Sequence, residues 1–484
     1  MGRSRTVALA IAASVILASG TGLALDAAGV LDLPDEWWSS SEPDAFTAPD
    51  EVEPPPGLSL PEPARLQAVL DPVTSPRTDP AAVLARLTPV LSDRDLGRHA
   101  GVIVQDLMRD RVVVTAGGRD PYVPASTLKL FTATAALSAL GPDHRFSTSV
   151  IRTGRSRQPT LVLVGGGDPL LASTPEAADT LDFPAGAATV SALATDTVRA
   201  LRSDRVDRVR VGFDDGLFTG PAAAPSWERD YLPNDIVSPV SALWVDQGRL
   251  DPALIDRSVD PAIAAAEELA QALERRGLTV VGSPEPVPAP AQGEELASDP
   301  GLELDTVVEH VLQVSDNEGA EVLLRHVGLA TGRADSFTGG AAGTRAALQG
   351  LGVPFEGVVA YDGSGLSRDN RVTRAALAQV LQLGADPDLP DLRTLTVALP
   401  VAQFTGTLAS RFLEPEARAG RGLVRAKTGT LSHVHGLAGT TVTRDGTLLG
   451  FALLTDRVPL PDTLDARALL DTLASRLAGC GCGG

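Results

Sequence analysis

Val123-Pro124-Ala125-Ser126-Thr127-Leu128-Lys129-Leu130-Phe131-Thr132-Ala133-Thr134-Ala135-Ala136-Leu137-Ser138-Ala139-Leu140-Gly141-Pro142 reads as one helix with a reactive head. A helix is expected over Thr127 to Leu140, with Leu128, Phe131, Ala135 and Leu137 buried and a stop at Gly141-Pro142. Ser126 stands at its N-terminal end. Residues three apart share a helix face, so Lys129 carries an amine back to the Ser126 hydroxyl. Taken alone, the serine would be a helix cap and the lysine a solvated side chain. The lysine count argues otherwise: the 484 residues include two lysines against 39 arginines. The second, Lys427, opens Lys427-Thr428-Gly429. A preference for arginine cannot displace lysine from a task that needs an amine able to lose its proton, or a compact ammonium in a pocket.

Between them lies Ser315-Asp316-Asn317, expected as a loop joining helices at Thr306 to Val314 and Glu321 to His326. A serine hydroxyl needs a neighbouring base to become a nucleophile. Lys129 can serve if burial and a second cation strip its proton, and Lys427 is the expected second cation. Ser315 can relay a proton, and the Asn317 amide can both donate to and accept from a peptide. Asp316 is expected to point away. Lys427 and Thr428 suit a terminal carboxylate, and Gly429 would let a substrate backbone lie against its strand. The N–H groups of Ser126 and Thr430 are the expected oxyanion donors.

The rest of the chain supplies a large core: 50.0 kDa with 43% hydrophobic residues. A formal charge of -20 disfavours nucleic acid as a partner. Arg3 and Arg5 precede an uncharged run from Val7 to Leu25, close to the ~20 residues that span a bilayer, so secretory signal and membrane anchor both fit. Trp37 and Trp38 follow, then a Pro-rich acidic spacer. Cys480 and Cys482 sit in a glycine-rich tail. No zinc spacing appears, and His433 and His435 read as strand residues; no metal and no cofactor are expected. Gly165-Gly166-Gly167-Asp168 lacks the lysine of a phosphate loop and reads as a tight turn, as does Asp214-Asp215.

Strands are expected at Gly101 to Leu107, Arg111 to Ala116, Lys427 to Thr430, Gly436 to Thr443 and Thr447 to Leu454. A last amphipathic helix, with Leu464, Leu469, Leu470, Leu473 and Leu477, would cover them. The fold class is therefore mixed α/β (α+β), an antiparallel sheet flanked by helices. The long interval between Ser126 and Ser315 reads as an insertion with its own strands and helices. The expected division is 1–30 signal or anchor, 31–80 linker, 81–145 and 301–478 catalytic domain, 146–300 inserted domain or domains, and 479–484 tail.

S-x-x-K, S-D-N and K-T-G in this order are the phrases of serine β-lactamases and penicillin-binding proteins. With Leu163 to Pro169, Ser241-Ala242-Leu243, Asp362-Gly363-Ser364-Gly365-Leu366-Ser367-Arg368 and Gly406-Thr407-Leu408, the chain resembles the D-alanyl-D-alanine carboxypeptidase/endopeptidase family of class C low-molecular-mass penicillin-binding proteins over roughly residues 80 to 478. The resemblance implies a penicillin-binding transpeptidase-like domain split by a large insertion, and an acyl-enzyme on Ser126. It further implies peptidoglycan stem peptides as substrates, β-lactams as covalent inhibitors, and a place in the extracytoplasmic cell envelope, secreted or anchored. By motif it carries stem-peptide reception to Arg368, Leu431 and Ser432. His433 stands where many relatives have a small residue, often glycine. A β-lactamase and an inactive peptidoglycan-binding protein are the alternatives.

Overall fold

A computed structural model describes residues 76–118, 120–154 and 156–483. The expected signal or anchor, Trp37, Trp38 and the linker as far as residue 75 lie outside the described residues. Among the described residues no helix is long and apolar enough to cross a membrane.

In chain order the main helices are α1 (Pro80–Leu91), α2 (Lys129–Leu140), α3 (Val190–Leu201), α4 (Pro261–Arg275), α5 (Leu304–Val314), α6 (Asn317–Ala330), α7 (Phe337–Gly350), α8 (Arg374–Ala385) and α9 (Thr463–Ala478). The strands are β1 (Ala100–Asp106), β2 (Arg111–Gly117), β3 (Thr148–Thr153), β4 (Thr160–Val164), β5 (Arg208–Asp214), β6 (Thr279–Val280), β7 (Glu285–Pro286), β8 (Glu294–Asp299), β9 (Arg425–Leu431), β10 (Val434–Val442) and β11 (Leu448–Thr455).

Five strands form an antiparallel sheet in the order β2-β1-β11-β10-β9, which leaves β9 at an edge. The period-2 alternation of a strand sends its side chains to opposite faces. Val102, Val104, Leu437 and Phe451 pack with Leu470 and Leu473 of α9, while Ile103, Ala438 and Ala452 pack with Leu128 and Phe131. Helix α2 lies on that second face, enclosed by α5, α6, α7 and α8. Every residue from Lys129 to Leu137 is buried, not just one stripe. Ala and Thr make this possible: small side chains let neighbours approach, and the hydroxyls bond backbone, Thr132 to Gly363 O and Thr134 to Leu130 O.

A second, mixed sheet runs β6-β5-β4-β3-β8, with β7 also on β5, and all its strands come from between Thr148 and Asp299. Strands β4 and β5 are parallel, with α3 as their crossover. Thr189 caps α3, and Asp260 with Pro261 starts α4. These helices bury Leu193, Leu201, Leu269 and Leu273 against the sheet. A separate stretch between β5 and α4 packs away from this sheet, on α6 and α7. Trp227, Tyr231 and Trp244 bury against Val322, Leu324, Phe337 and Leu366.

Three expectations change. Leu464 was expected in the covering face of α9 but stands in its first turn, 71% exposed, and the buried face of the helix begins at Ala466. The cysteine tail is packed: Cys480 and Cys482, bonded to one another, are buried among Leu87, Leu473 and Leu477. The end of the expected linker is also fixed, since Asp79 caps α1 and its N–H reaches Cys482 O at 2.8 Å.

Candidate active site

Ser126 lies in a 3-10 turn, Ala125–Leu128, that leads into α2 at Lys129, so the helix proper begins three residues after the serine. The turn is wedged between two close backbones. A Cβ on Gly365, where φ is +87°, would stand 2.0 Å from Ala125 O, and one on Gly429 would stand 2.6 Å from Pro124 O. Gly429 is therefore required by the approach of β9 to the serine turn. This is a packing reason beside the expected one, room for a substrate backbone.

Lys129 is fully buried. Its Nζ lies 3.0 Å from Ser126 Oγ, 2.8 Å from Asn317 Oδ1 and 2.8 Å from Ser364 O. The amide and carbonyl oxygens only accept, so they take two N–H bonds. The third tetrahedral direction of the nitrogen faces the serine, and it carries either a proton or a lone pair.

Ser315 ends α5 in the left-handed region with φ +65°. Its Oγ accepts from Lys427 Nζ at 2.8 Å, and Lys427 also donates to Thr428 O at 3.1 Å. Asp316 points away from the cleft. It caps α6 through Gly319 N–H and accepts from Gln247 Nε2 at 2.8 Å. Thr428 Oγ1 donates to Thr407 Oγ1 at 3.0 Å. Thr430 is exposed on β9, with Leu431 and Ser432 following it. Arg368 reaches the same rim: its Nη1 donates to Ser432 O at 3.0 Å and its Nε to Glu228 Oε1 at 2.5 Å. His433 has φ +68°, backbone that favours glycine, and its Nδ1 lies 2.8 Å from Val458 O.

The structure thus gathers the five residues as two hydrogen-bonded groups, Ser126 and Asn317 on Lys129 and Ser315 on Lys427, close enough for the two lysines to feel each other's charge, with Thr428, Gly429, Thr430, Leu431, Ser432 and Arg368 along their edge. Gly167 and Asp168 lie elsewhere, against His326 and Leu170, and Asp214 bonds Gly216 and Ala289 in a turn.

Burial lowers Lys129 to about 8, while Glu321, Asp316, Asp362 and Glu318 pull it back upward. Burial pushes Lys427 well below its ordinary value, and the charge of Lys129 adds to the effect. Burial thus opposes a charge on Lys427, whereas the carboxylates around Lys129 favour one there.

Several contributors escaped sequence reasoning. Glu321 is fully buried and accepts from Gly363 N–H at 2.8 Å and Ser364 N–H at 2.9 Å, holding the turn whose carbonyl touches Lys129. Burial and Asp362 raise it to about 8. A signal existed: Glu321 stands four residues after Asn317, on the same helix face. Asp362 gathers N–H bonds from Gly365, Ser367, Asn370 and Trp227, the last from the insertion. No local pattern announces Trp227 or Glu228.

The chain matches the profile of the D-Ala-D-Ala carboxypeptidase 3 (S13) family over residues 83–257 and 251–477. It belongs to that family. A carboxypeptidase of Mycobacterium tuberculosis is 35% identical over 87% of this chain and 89% of its own length. A D-alanyl-D-alanine carboxypeptidase of Actinomadura is 31% identical over 81% and 85%. Among solved structures, penicillin binding protein 4 of Haemophilus influenzae has a TM-score of 0.66 at 22% identity, covering 81% of this chain and 98% of that one. The same protein complexed with a β-lactam gives 0.60 at 23% identity, again over 81% and 98%. Both likenesses speak to the fold.

Proposed function

We propose that this enzyme removes the terminal D-alanine from peptidoglycan stem peptides through an acyl-enzyme on Ser126, and that β-lactams acylate the same serine. The observation that carries the reading is the Lys129 nitrogen, held by two obligate acceptors and facing Ser126 Oγ.

The terminal carboxylate of the substrate docks beside Lys427 and Thr428. A negative charge there favours the ammonium at Lys427, and the new positive charge disfavours the one at Lys129. Neutral Lys129 takes the Ser126 proton as Oγ attacks the carbonyl carbon, and the oxyanion forms against the N–H groups of Ser126 and Thr430. The C–N bond breaks, the proton held on Lys129 passes by way of Ser315 to the leaving amine, and D-alanine departs with Lys129 neutral again. Water then cleaves the ester, Lys129 again receiving a proton. Asn317 holds both Lys129 and the peptide amide. Arg368, Leu431 and Ser432 receive the rest of the stem peptide at the rim.

The substrate lies outside the cytoplasm, and the enzyme works there; the run Val7 to Leu25 is proposed as its export signal or anchor. Residues 81–145 and 301–478 are proposed as the catalytic domain, with 146–300 inserted.

Labelling by a fluorescent penicillin and release of D-alanine from a peptide ending in D-Ala-D-Ala test the scheme together. Both are expected for the wild type and lost in Ser126→Ala. Lys129→Arg should label at least ~10²-fold more slowly, because a guanidinium keeps its proton. Equal labelling of the wild type and Ser126→Ala would reject the nucleophile.

A further inference from the structure

Behind the Ser315-Asp316-Asn317 loop lies a polar cavity of about 380 Å³, walled on one side by that loop and on the other by the insertion. Arg249 and Arg257 both line it. They stand opposite each other in a short antiparallel ladder, Leu250 N–H bonding Asp256 O and Ser258 N–H bonding Gly248 O. Bonds that flank a pair in this way mark the non-hydrogen-bonded position, whose side chains lie closest. Like charges directly opposite are unfavourable, so this arrangement needs a counter-charge.

The protein supplies only part of one. Arg257, whose side chain is 8% exposed, pairs with Glu318 Oε1 at 2.8 Å, and Arg249 Nη1 bonds Leu254 O. Arg257 Nε and Nη1 and Arg249 Nε remain buried without partners among the described residues. Glu318 and Asp316 both act on the pair electrostatically, but no acid of the wall bonds the three remaining N–H groups among the described residues. Asp316 is committed to Gly319 and Gln247, and Asp182 on the far side makes no ion pair with either arginine among the described residues. Burial first and the Arg257 charge second depress Arg249, while Glu318 and Asp316 pull it back upward.

We propose that Arg249 and Arg257 form an anion subsite, against the Ser315-Asp316-Asn317 loop, that holds a free carboxylate of a peptidoglycan stem peptide. This rests on the substrate class proposed above. Planar guanidiniums with free N–H groups match a carboxylate in charge and geometry. The subsite would hold a second peptide strand while another occupies Ser126.

The test uses the full chain, first acylated with benzylpenicillin so that the cleft is blocked, with the adduct checked by intact mass. Failure to form the adduct would indict the catalytic reading and leave the subsite to be judged on unblocked protein. N-acetyl-D-glutamate is then titrated by calorimetry, with its diamide as the uncharged control and D-alanine as the other source of carboxylate. Saturable binding is expected for N-acetyl-D-glutamate alone. It should weaken about tenfold or more in Arg249→Gln and in Arg257→Gln, while the rate of penicillin acylation stays within about twofold. Arg257→Lys keeps a charge for Glu318 and serves if the glutamine variant does not fold. Unchanged affinity in Arg249→Gln, or binding of the diamide equal to that of the acid, overturns the subsite. Tighter binding of D-alanine than of N-acetyl-D-glutamate overturns the stem-peptide assignment.

Discussion

Acylation of Ser126 should rise with pH between 7 and 9, and the size of the rise follows from the setting of Lys129. With its ammonium titrating at about 8, roughly one molecule in eleven carries the neutral amine at pH 7 and roughly ten in eleven at pH 9. If only the neutral form accepts the Ser126 proton, the second-order rate constant for a β-lactam climbs about tenfold, with its midpoint near 8. That constant reports the free enzyme. The rate at saturating ligand reports the complex, where a carboxylate beside Lys427 favours a charge there and drives Lys129 lower. Its midpoint should therefore fall below that of the second-order constant. Stopped-flow acylation by a fluorescent penicillin at constant ionic strength measures both, with circular dichroism at each pH to check the fold. A second-order constant that is flat, or falls, from pH 6.5 to 9 in folded protein refutes the assignment of Lys129 as base. A saturated midpoint above the free-enzyme one refutes the transfer of charge to Lys427.

Glu321→Gln places an amide where Gly363 and Ser364 present two donors, costing about 1–3 kcal/mol of stability. It also removes a carboxylate that raises Lys129, so the acylation midpoint should move to lower pH while the maximal rate falls; an unmoved midpoint would limit Glu321 to a structural part. Gly365→Ala forces a side chain toward Ala125 O in left-handed backbone, and acylation should drop at least ~10-fold along with a stability loss of about 1–3 kcal/mol, read by thermal unfolding. Trp227→Phe removes one donor to buried Asp362 and should cost about 1–2 kcal/mol, with slower acylation if the insertion steadies the Asp362 turn.

Elements close in sequence were the legible ones. The β1-β2 and β10-β11 hairpins, α2 and the loop before α6 each carry their own punctuation: an alternation, a Gly-Pro stop, a helix break. That Ser126, Lys129, Ser315, Asn317 and Lys427 would gather at one place was likewise readable, since each phrase carries a particular functional group. What stayed hidden depends on distant partners. Glu321 looks like one more helix carboxylate until the Asp362 turn is placed against it. Glu228 and Trp227 belong to the insertion, and only the packing of Trp227, Tyr231 and Trp244 on Val322 and Leu366 brings them to the cleft. For Gly429 the packing reason stayed hidden, because the backbone it accommodates is Pro124, some three hundred residues earlier.

The scarcity of lysine was informative because of burial, not because of charge. Arg152, Arg257, Arg325, Arg374 and Arg411 show that this fold can bury cationic side chains, and Arg257, Arg374 and Arg411 each pair with a carboxylate. A guanidinium in such a place stays charged and demands a partner. Lys129 and Lys427 are both wholly buried and neither has an ion pair among the described residues; their nitrogens bond hydroxyls, an amide and carbonyls instead. Those partners suit an amine whether or not it holds its extra proton. A single proton can then pass between the two lysines as the charge in the cleft changes, a task that arginine, fixed in its charge, could perform at neither position.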